Sequence, residues 1–155
     1  MAGKILVIDD ERDMLLLLQR ILSERTPHAI TTTHDPLQVS ELLRKTDFDV
    51  VLTDLKMPDR DGIQVLELVK EKDPQAAVVI MTAYGSIESA VEATRKGAFD
   101  YIIKPFRKER IVHVVEQALQ WRRLQRENLF LREQLDGQPQ FATLVGNSLA
   151  MHRVH

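Results

Sequence analysis

The sequence predicts an α/β fold: a doubly wound parallel sheet of five strands with helices on both faces, followed by an extended C-terminal helix. Two observations carry this. Short apolar runs alternate with segments of helical periodicity five times along the chain, the order that builds a parallel sheet covered on both sides. The residues between them are turn and cap formers placed where such elements start and stop.

In order, Lys4-Ile5-Leu6-Val7-Ile8 opens a strand over 4–9, and a helix follows over 11–24. Pro27 separates that helix from a strand over 28–33, and Asp35-Pro36 starts a helix over 36–46. Asp49-Val50-Val51-Leu52-Thr53 is the third strand (49–53), and Asp61-Gly62 starts the third helix (62–72). Asp73-Pro74 leads to the fourth strand, 77–82. Gly85, with Ser86 as N-cap, opens the fourth helix (86–96), which Gly97 closes. The fifth strand is 100–103, and the last helix runs from about 107 to 135.

That last helix would reach roughly 43 Å, beyond a ~30 Å domain. Ile111, Val114, Val115, Ala118 and Leu119 give its first half a face for the sheet, so its second half needs another partner. Val114, Trp121, Asn128 and Leu135 fall at seven-residue steps, with Leu124 and Leu131 in the alternate positions. This is an a/d seam with Asn at an a position, a device that sets register in parallel two-stranded coiled coils. Arg122, Arg123 and Arg126 are expected on the solvated flank of that coil. The division is then a domain over 1–119, a linker helix over 120–138, and a tail over 139–155 that opens a further domain.

Composition narrows the class. The chain has 155 residues, 44% of them hydrophobic, enough for one cored domain and a short extension. With 21 basic and 23 acidic residues the net charge is −2, which argues against a free-standing nucleic-acid binder. The lack of cysteine excludes disulfides, thiolate metal sites and cysteine nucleophiles. The apolar run at 5–8 is too short for a secretory signal, and no stretch approaches the ~20 apolar residues of a membrane span. The expectation is a soluble, cytoplasmic protein without membrane contact. The histidines at 28, 34, 113, 152 and 155 show no metal-ligand spacing and read as surface or packing residues.

The chemistry gathers at strand ends, where a parallel sheet opens its ligand crevice. Asp9 and Asp10 follow the first strand, Asp54 the third, Thr82 closes the fourth, and Lys104 follows the fifth. Singly, each aspartate is an ordinary helix or turn cap, but four strand ends so equipped point to one site. Carboxylates about 6 Å apart repel pairwise by roughly 3 kcal/mol at an effective dielectric near 20. Lys104 offsets only part of this, so a hard divalent cation is expected, and Mg²⁺ suits few carboxylates plus a phosphoryl oxygen. An aspartate beside a cation and a lysine is also a nucleophile toward a phosphorylated donor.

Residues 3–122 resemble the response-regulator receiver domain, the phosphoacceptor module of two-component signalling. The resemblance rests on Ile8-Asp9-Asp10-Glu11, Asp54-Leu55-Lys56-Met57-Pro58, Asp61-Gly62, Met81-Thr82-Ala83, Gly97-Ala98-Phe99-Asp100-Tyr101 and Lys104-Pro105-Phe106, with no departure at a key position. It implies a flavodoxin-like (βα)5 sheet of order 2-1-3-4-5. It further implies that Asp54 accepts a phosphoryl group from the phosphohistidine of a sensor kinase. Asp9, Asp10, Asp54 and the Lys56 backbone carbonyl would hold Mg²⁺, Asp10 directly and Asp9 through water. Lys104 would pair with the phosphoryl group, with a cis Lys104-Pro105 bond, and Thr82 and Tyr101 would be the switch pair.

Ala83-Tyr84-Gly85, Ala90-Val91-Glu92-Ala93 and the stretch from Gly97 to Phe106 are similar to the nitrogen-regulator (NtrC-like) class. Leu144 to Val154 is similar to the opening of that class's sigma-54-interacting AAA+ ATPase domain. This implies the regulatory part of a sigma-54-dependent transcription activator. It would be no free-standing enzyme, although it assists its own phosphorylation and dephosphorylation. Its homodimer would form through the linker helix, through the face of the fourth helix, fifth strand and fifth helix, or both. Sigma-54 RNA polymerase and DNA would be met only by domains beyond this chain. Two other readings are weaker. A haloacid-dehalogenase-type phosphatase spaces its two carboxylates two residues apart, whereas Asp9 and Asp10 are adjacent. A binding-only receiver would not need the full acid, threonine and lysine set.

Overall fold

A computed structural model describes residues 2–136, so the tail expected to open a further domain lies outside the described residues. The elements are β1 (Lys4–Ile8), α1 (Arg12–Arg25), β2 (Ala29–Thr33), a 3-10 turn (Pro36–Gln38), α2 (Val39–Lys45), β3 (Val50–Asp54), α3 (Gly62–Lys72), β4 (Ala77–Thr82), α4 (Ile87–Arg95), β5 (Asp100–Ile103) and α5 (Lys108–Asp136). The strands are all parallel, in the order β2-β1-β3-β4-β5. This is the doubly wound, flavodoxin-like architecture.

Most boundaries shift by about a residue from the sequence reading, and two of the differences have local reasons. The second helix starts as a 3-10 turn, because Asp35 accepts the Leu37 N–H at 2.9 Å ahead of Pro36, tightening the entry. β3 extends to include Asp54, which pairs in register with Met81 of β4. The acid therefore sits on the rigid sheet rather than in the loop after it.

Alternate side chains of the central strands serve opposite faces. Ile5, Val7, Val50, Leu52, Val79 and Met81 pack with α1 and α5, while Leu6, Ile8, Val51, Val78 and Ile80 pack with α2, α3 and Ala93 of α4. Because both faces are covered, these strands read as unbroken apolar runs. β2, at the sheet edge, carries threonines and is half-buried. His28, just before it, is buried: its Nδ1 accepts the Gly3 N–H at 2.9 Å, so Nε2 carries the proton toward Glu116 of α5, 2.5 Å away.

The chain divides into a compact unit, Met1–Arg122, and a second, Arg123–His155. Within the first, Ile111, Val114, Val115, Ala118 and Leu119 are buried against the sheet. Here the seam reading needs correction. Val114 is a core residue, and Trp121 packs on the same core, its ring tilted against Phe99 with centroids 5.8 Å apart. The seam is thereby reduced to positions from Leu124 on, where Leu124 and Leu131 are exposed.

Arg122 is a second correction. It does not lie on a solvated flank but is 1% exposed, with Nε 3.1 Å from Asp49 Oδ1 and Nη1 2.7 Å from Asp73 Oδ2. Asp49 precedes β3 and Asp73 caps the end of α3. A guanidinium can serve two carboxylates at once, which is what makes its burial tolerable here.

Candidate functional site

The strand ends converge as their chemistry suggests. Asp9 follows β1 and is fully buried: Oδ1 accepts the Glu11 N–H at 2.9 Å and Oδ2 accepts from Lys104 Nζ at 2.9 Å. Asp10, next along, is exposed. Asp54 ends β3, 6% exposed, with Oδ1 accepting the Leu55 N–H at 2.8 Å and Oδ2 3.7 Å from Lys104 Nζ. One carboxylate oxygen from each of Asp9, Asp10 and Asp54 lies within 4.8 Å of the others.

Lys104 is delivered by β5, its own N–H bonded to the Thr82 carbonyl at 2.8 Å, and the Lys104-Pro105 peptide is cis. Thr82 is buried at the end of β4, and its Oγ1 accepts the Tyr84 N–H at 2.9 Å. Tyr101 lies opposite Ile80 and Ile103 opposite Thr82, so Thr82 and Tyr101 share a face of the sheet. The Tyr101 hydroxyl is 2.6 Å from Ser89 Oγ. Lys56 stands in the loop leaving β3, its side chain exposed and its ammonium 5.6 Å from the centre of the Tyr84 ring.

Burial, and then the charge of Asp9, push the Asp54 carboxyl up to about 6 from 3.8, against the opposing pull of Lys104 and the Leu55 N–H. Burial disfavours the Lys104 ammonium, but the hydrogen bond and charge of Asp9, with Asp54 and Glu11 behind it, raise its pKa overall. Lys104 is thus committed first to Asp9, and Asp54 is left short of positive charge. A carboxylate trio in that condition matches a hard cation with few protein ligands.

Gly62 belongs to the site for a reason its sequence context hides. A Cβ there would lie 2.4 Å from the Asp54 carbonyl oxygen, while its N–H donates to Leu55 O at 2.7 Å. The β3–α3 loop folds back onto the backbone of Asp54, turning through Asp59 at φ 71°. In the sequence, Asp61-Gly62 signals only the start of α3, which the structure shows capped by a reciprocal box between Asp61 and Gln64.

Known proteins resemble this chain in sequence and fold. The family described as "Response regulator receiver domain" matches residues 5–116. The chain is 35% identical over 151 residues to the regulatory protein AtoC of Escherichia coli K12, covering 96% of this chain and 32% of AtoC. It is 37% identical over 117 residues to the DNA-binding transcriptional regulator NtrC of the same strain, covering 76% and 25%. The solution structure of the beryllofluoride-activated NtrC4 receiver domain dimer superposes with a TM-score of 0.73 at 31% identity, covering 77% of this chain and 98% of that one. The chain thus spans a third or less of these curated regulators. It belongs to the response regulator receiver domain family.

Proposed function

We propose that the chain is the phosphorylation-controlled input module of a two-component transcription regulator, with Asp54 as phosphoacceptor. The observation that carries this reading is the placement of Asp54: a buried carboxylate on a rigid strand end, within reach of Lys104 and clustered with two further acids. An oxygen of Asp54 attacks the phosphorus of a sensor kinase phosphohistidine, the P–N bond breaks, and the imidazole leaves with the bond pair. Asp10, Asp54 and the Lys56 carbonyl would hold Mg²⁺ directly, and Asp9 would support it from behind. Bound there, Mg²⁺ supplies positive charge that offsets the carboxylates and the transferring oxygens. The chain assists its own phosphorylation and loss of phosphate and is not a free-standing enzyme.

Phosphorylation adds about −1.5 to −2 charges and three acceptor oxygens beside Lys104 and Thr82. Lys104 turns from Asp9 toward those oxygens. Thr82, whose Oγ1 already accepts from Tyr84, has its hydroxyl hydrogen to donate. Its movement makes room for the Tyr101 ring on the same face. The output surface is the α4–β5–α5 side, where Ile87 is 84% and Ile103 57% exposed. That surface and, separately, the seam at Leu124, Asn128 and Leu131 are both read as contacts of a homodimer. The AAA+ ATPase, sigma-54 RNA polymerase and DNA are met through domains beyond this chain, in the cytoplasm.

The test is phosphate incorporation from acetyl phosphate with Mg²⁺. Asp54→Asn should abolish it. If that variant takes up as much phosphate as the parent, the assignment of Asp54 is wrong.

A further inference from the structure

We propose that Ser89 is a positioning residue that ties the Tyr101 hydroxyl to the first turn of α4, so that reorientation of Tyr101 and loosening of that turn are a single event. The proposal rests on the switch reading above and adds the mechanical link that reading lacks.

α4 begins with a reciprocal cap. Ser86 Oγ accepts the Ser89 N–H at 3.0 Å, and Ser89 Oγ accepts the Ser86 N–H at 3.3 Å. The two hydroxyls are 2.9 Å apart, and Ser89 Oγ also reaches the Ser86 carbonyl at 3.2 Å. Into this box comes a residue from another element: the Tyr101 hydroxyl, 2.6 Å from Ser89 Oγ and the shortest contact Ser89 makes. With the Ser89 hydroxyl hydrogen directed to the Ser86 carbonyl, the serine oxygen is left to accept from the phenolic O–H. Ser89 therefore works both as the third residue of the cap and as the acceptor for a side chain of β5.

The loop ahead of α4 is held against the same ring. A Cβ at Gly85 would meet Ile103 Cγ1 and Cδ1 at 2.9 Å and would stand 3.7 Å from Tyr101 Cε1. Residues 85–89 thus contact β5 through Gly85 packing and through the Ser89–Tyr101 bond. When Tyr101 turns inward, its hydroxyl leaves Ser89, and the cap loses the bond that anchors it to the sheet. α4 itself is weakly held, with Ala93 its one fully buried residue, so its start is free to respond.

The experiment records NMR spectra of the full 155-residue chain with and without beryllofluoride and Mg²⁺, following the Tyr101 ring and the amides of residues 87–90. In the parent, both sets move together on adding beryllofluoride. Ser89→Ala, without beryllofluoride, should displace both along the same direction, corresponding to a change of about two- to tenfold in the switching equilibrium, the worth of one net hydrogen bond. Ser89→Thr, which keeps the hydroxyl, should restore the parent spectrum. Tyr101→Phe should displace the α4 amides in the same direction as Ser89→Ala but by less, since the cap bonds remain, and adding Tyr101→Phe to Ser89→Ala should move them no further. If Ser89→Ala moves only its helix neighbours while Tyr101 still answers beryllofluoride, the link is wrong and the switch reading stands. If beryllofluoride leaves Tyr101 unmoved in the parent, the switch reading fails and the link fails with it.

Discussion

Lys104 Nζ lies 2.9 Å from Asp9 Oδ2, so this ammonium, which reaches into the acid cluster, is bonded to the acid that is fully buried and already holds the Glu11 amide. Asp54, 3.7 Å from the same nitrogen, receives the weaker share. On the proposed function, Lys104 would have to be redirected from this pairing to meet a phosphoryl group.

Replacing Lys104 with Gln should therefore harm phosphoryl recognition more than folding. A hydrogen bond to a charged group contributes about 1.5–3 kcal/mol. Beryllofluoride affinity should fall by about ten- to a hundredfold, while Asp54 remains the site that takes it. Titration followed by amide shifts measures this, and an unchanged affinity would remove Lys104 from the phosphoryl site.

The raised pKa of Asp54 carries a stability sign that can be worked out. Folded, the carboxyl titrates near 6; unfolded, near 3.8. Between those values the native state binds the extra proton, so stability falls as pH rises through the window, and the full penalty is present above it. The gap corresponds to about 3 kcal/mol at most. In chelator, Asp54→Asn should stabilise the chain by about 1–3 kcal/mol at pH 7.5 and leave it nearly unchanged below pH 4. Mg²⁺ should stabilise the parent, by about 2.7 kcal/mol at a hundredfold excess over its Kd, and the variant much less. Urea unfolding of parent and variant, in chelator at pH 7.5 and below pH 4 and with Mg²⁺ at pH 7.5, gives the answer.

Arg122 should behave as a core residue. Its removal takes away the buried guanidinium that bridges Asp49 and Asp73. Arg122→Ala is expected to cost about 3–5 kcal/mol, the usual loss when one partner of a buried ion pair is deleted. An effect below about 0.5 kcal/mol, typical of surface sites, would return Arg122 to the solvated flank.

That residue also marks where the sequence stops being legible. The strands, helices and acid cluster could be read because each depends on local pattern: apolar runs, caps, and acids at run ends. Arg122 could not, since its partners stand at 49 and 73 and only the packed fold brings them to α5. Its neighbours argued the other way, because Trp121 fits a heptad and an arginine beside it then falls on a flank. Trp121 in fact completes the domain core with Phe99, and Lys70 Nζ lies 5.0 Å from its ring centre. Gly62 shows the same limit: a turn signal was visible, but its close approach to the Asp54 backbone was not. Ser89 is the same case: nothing local in the sequence marks it, and only the fold brings Tyr101 of β5 beside it.

The shortened seam makes its own prediction. If Leu124 and Leu131 join two copies, Leu124→Glu with Leu131→Glu should lower the oligomeric mass in sedimentation without altering the unfolding of residues 1–122. A dimer of undiminished affinity would place the interface on the α4–β5–α5 face alone.

The most direct measurement locates the acyl phosphate itself. The chain is treated with acetyl phosphate and Mg²⁺, reduced with borohydride, digested, and its peptides sequenced by mass spectrometry. The account predicts that the carboxyl of Asp54 is reduced to the alcohol of homoserine, and that this product vanishes when chelator replaces Mg²⁺. Reduction at Asp9 or Asp10 instead, or at no aspartate, would contradict it.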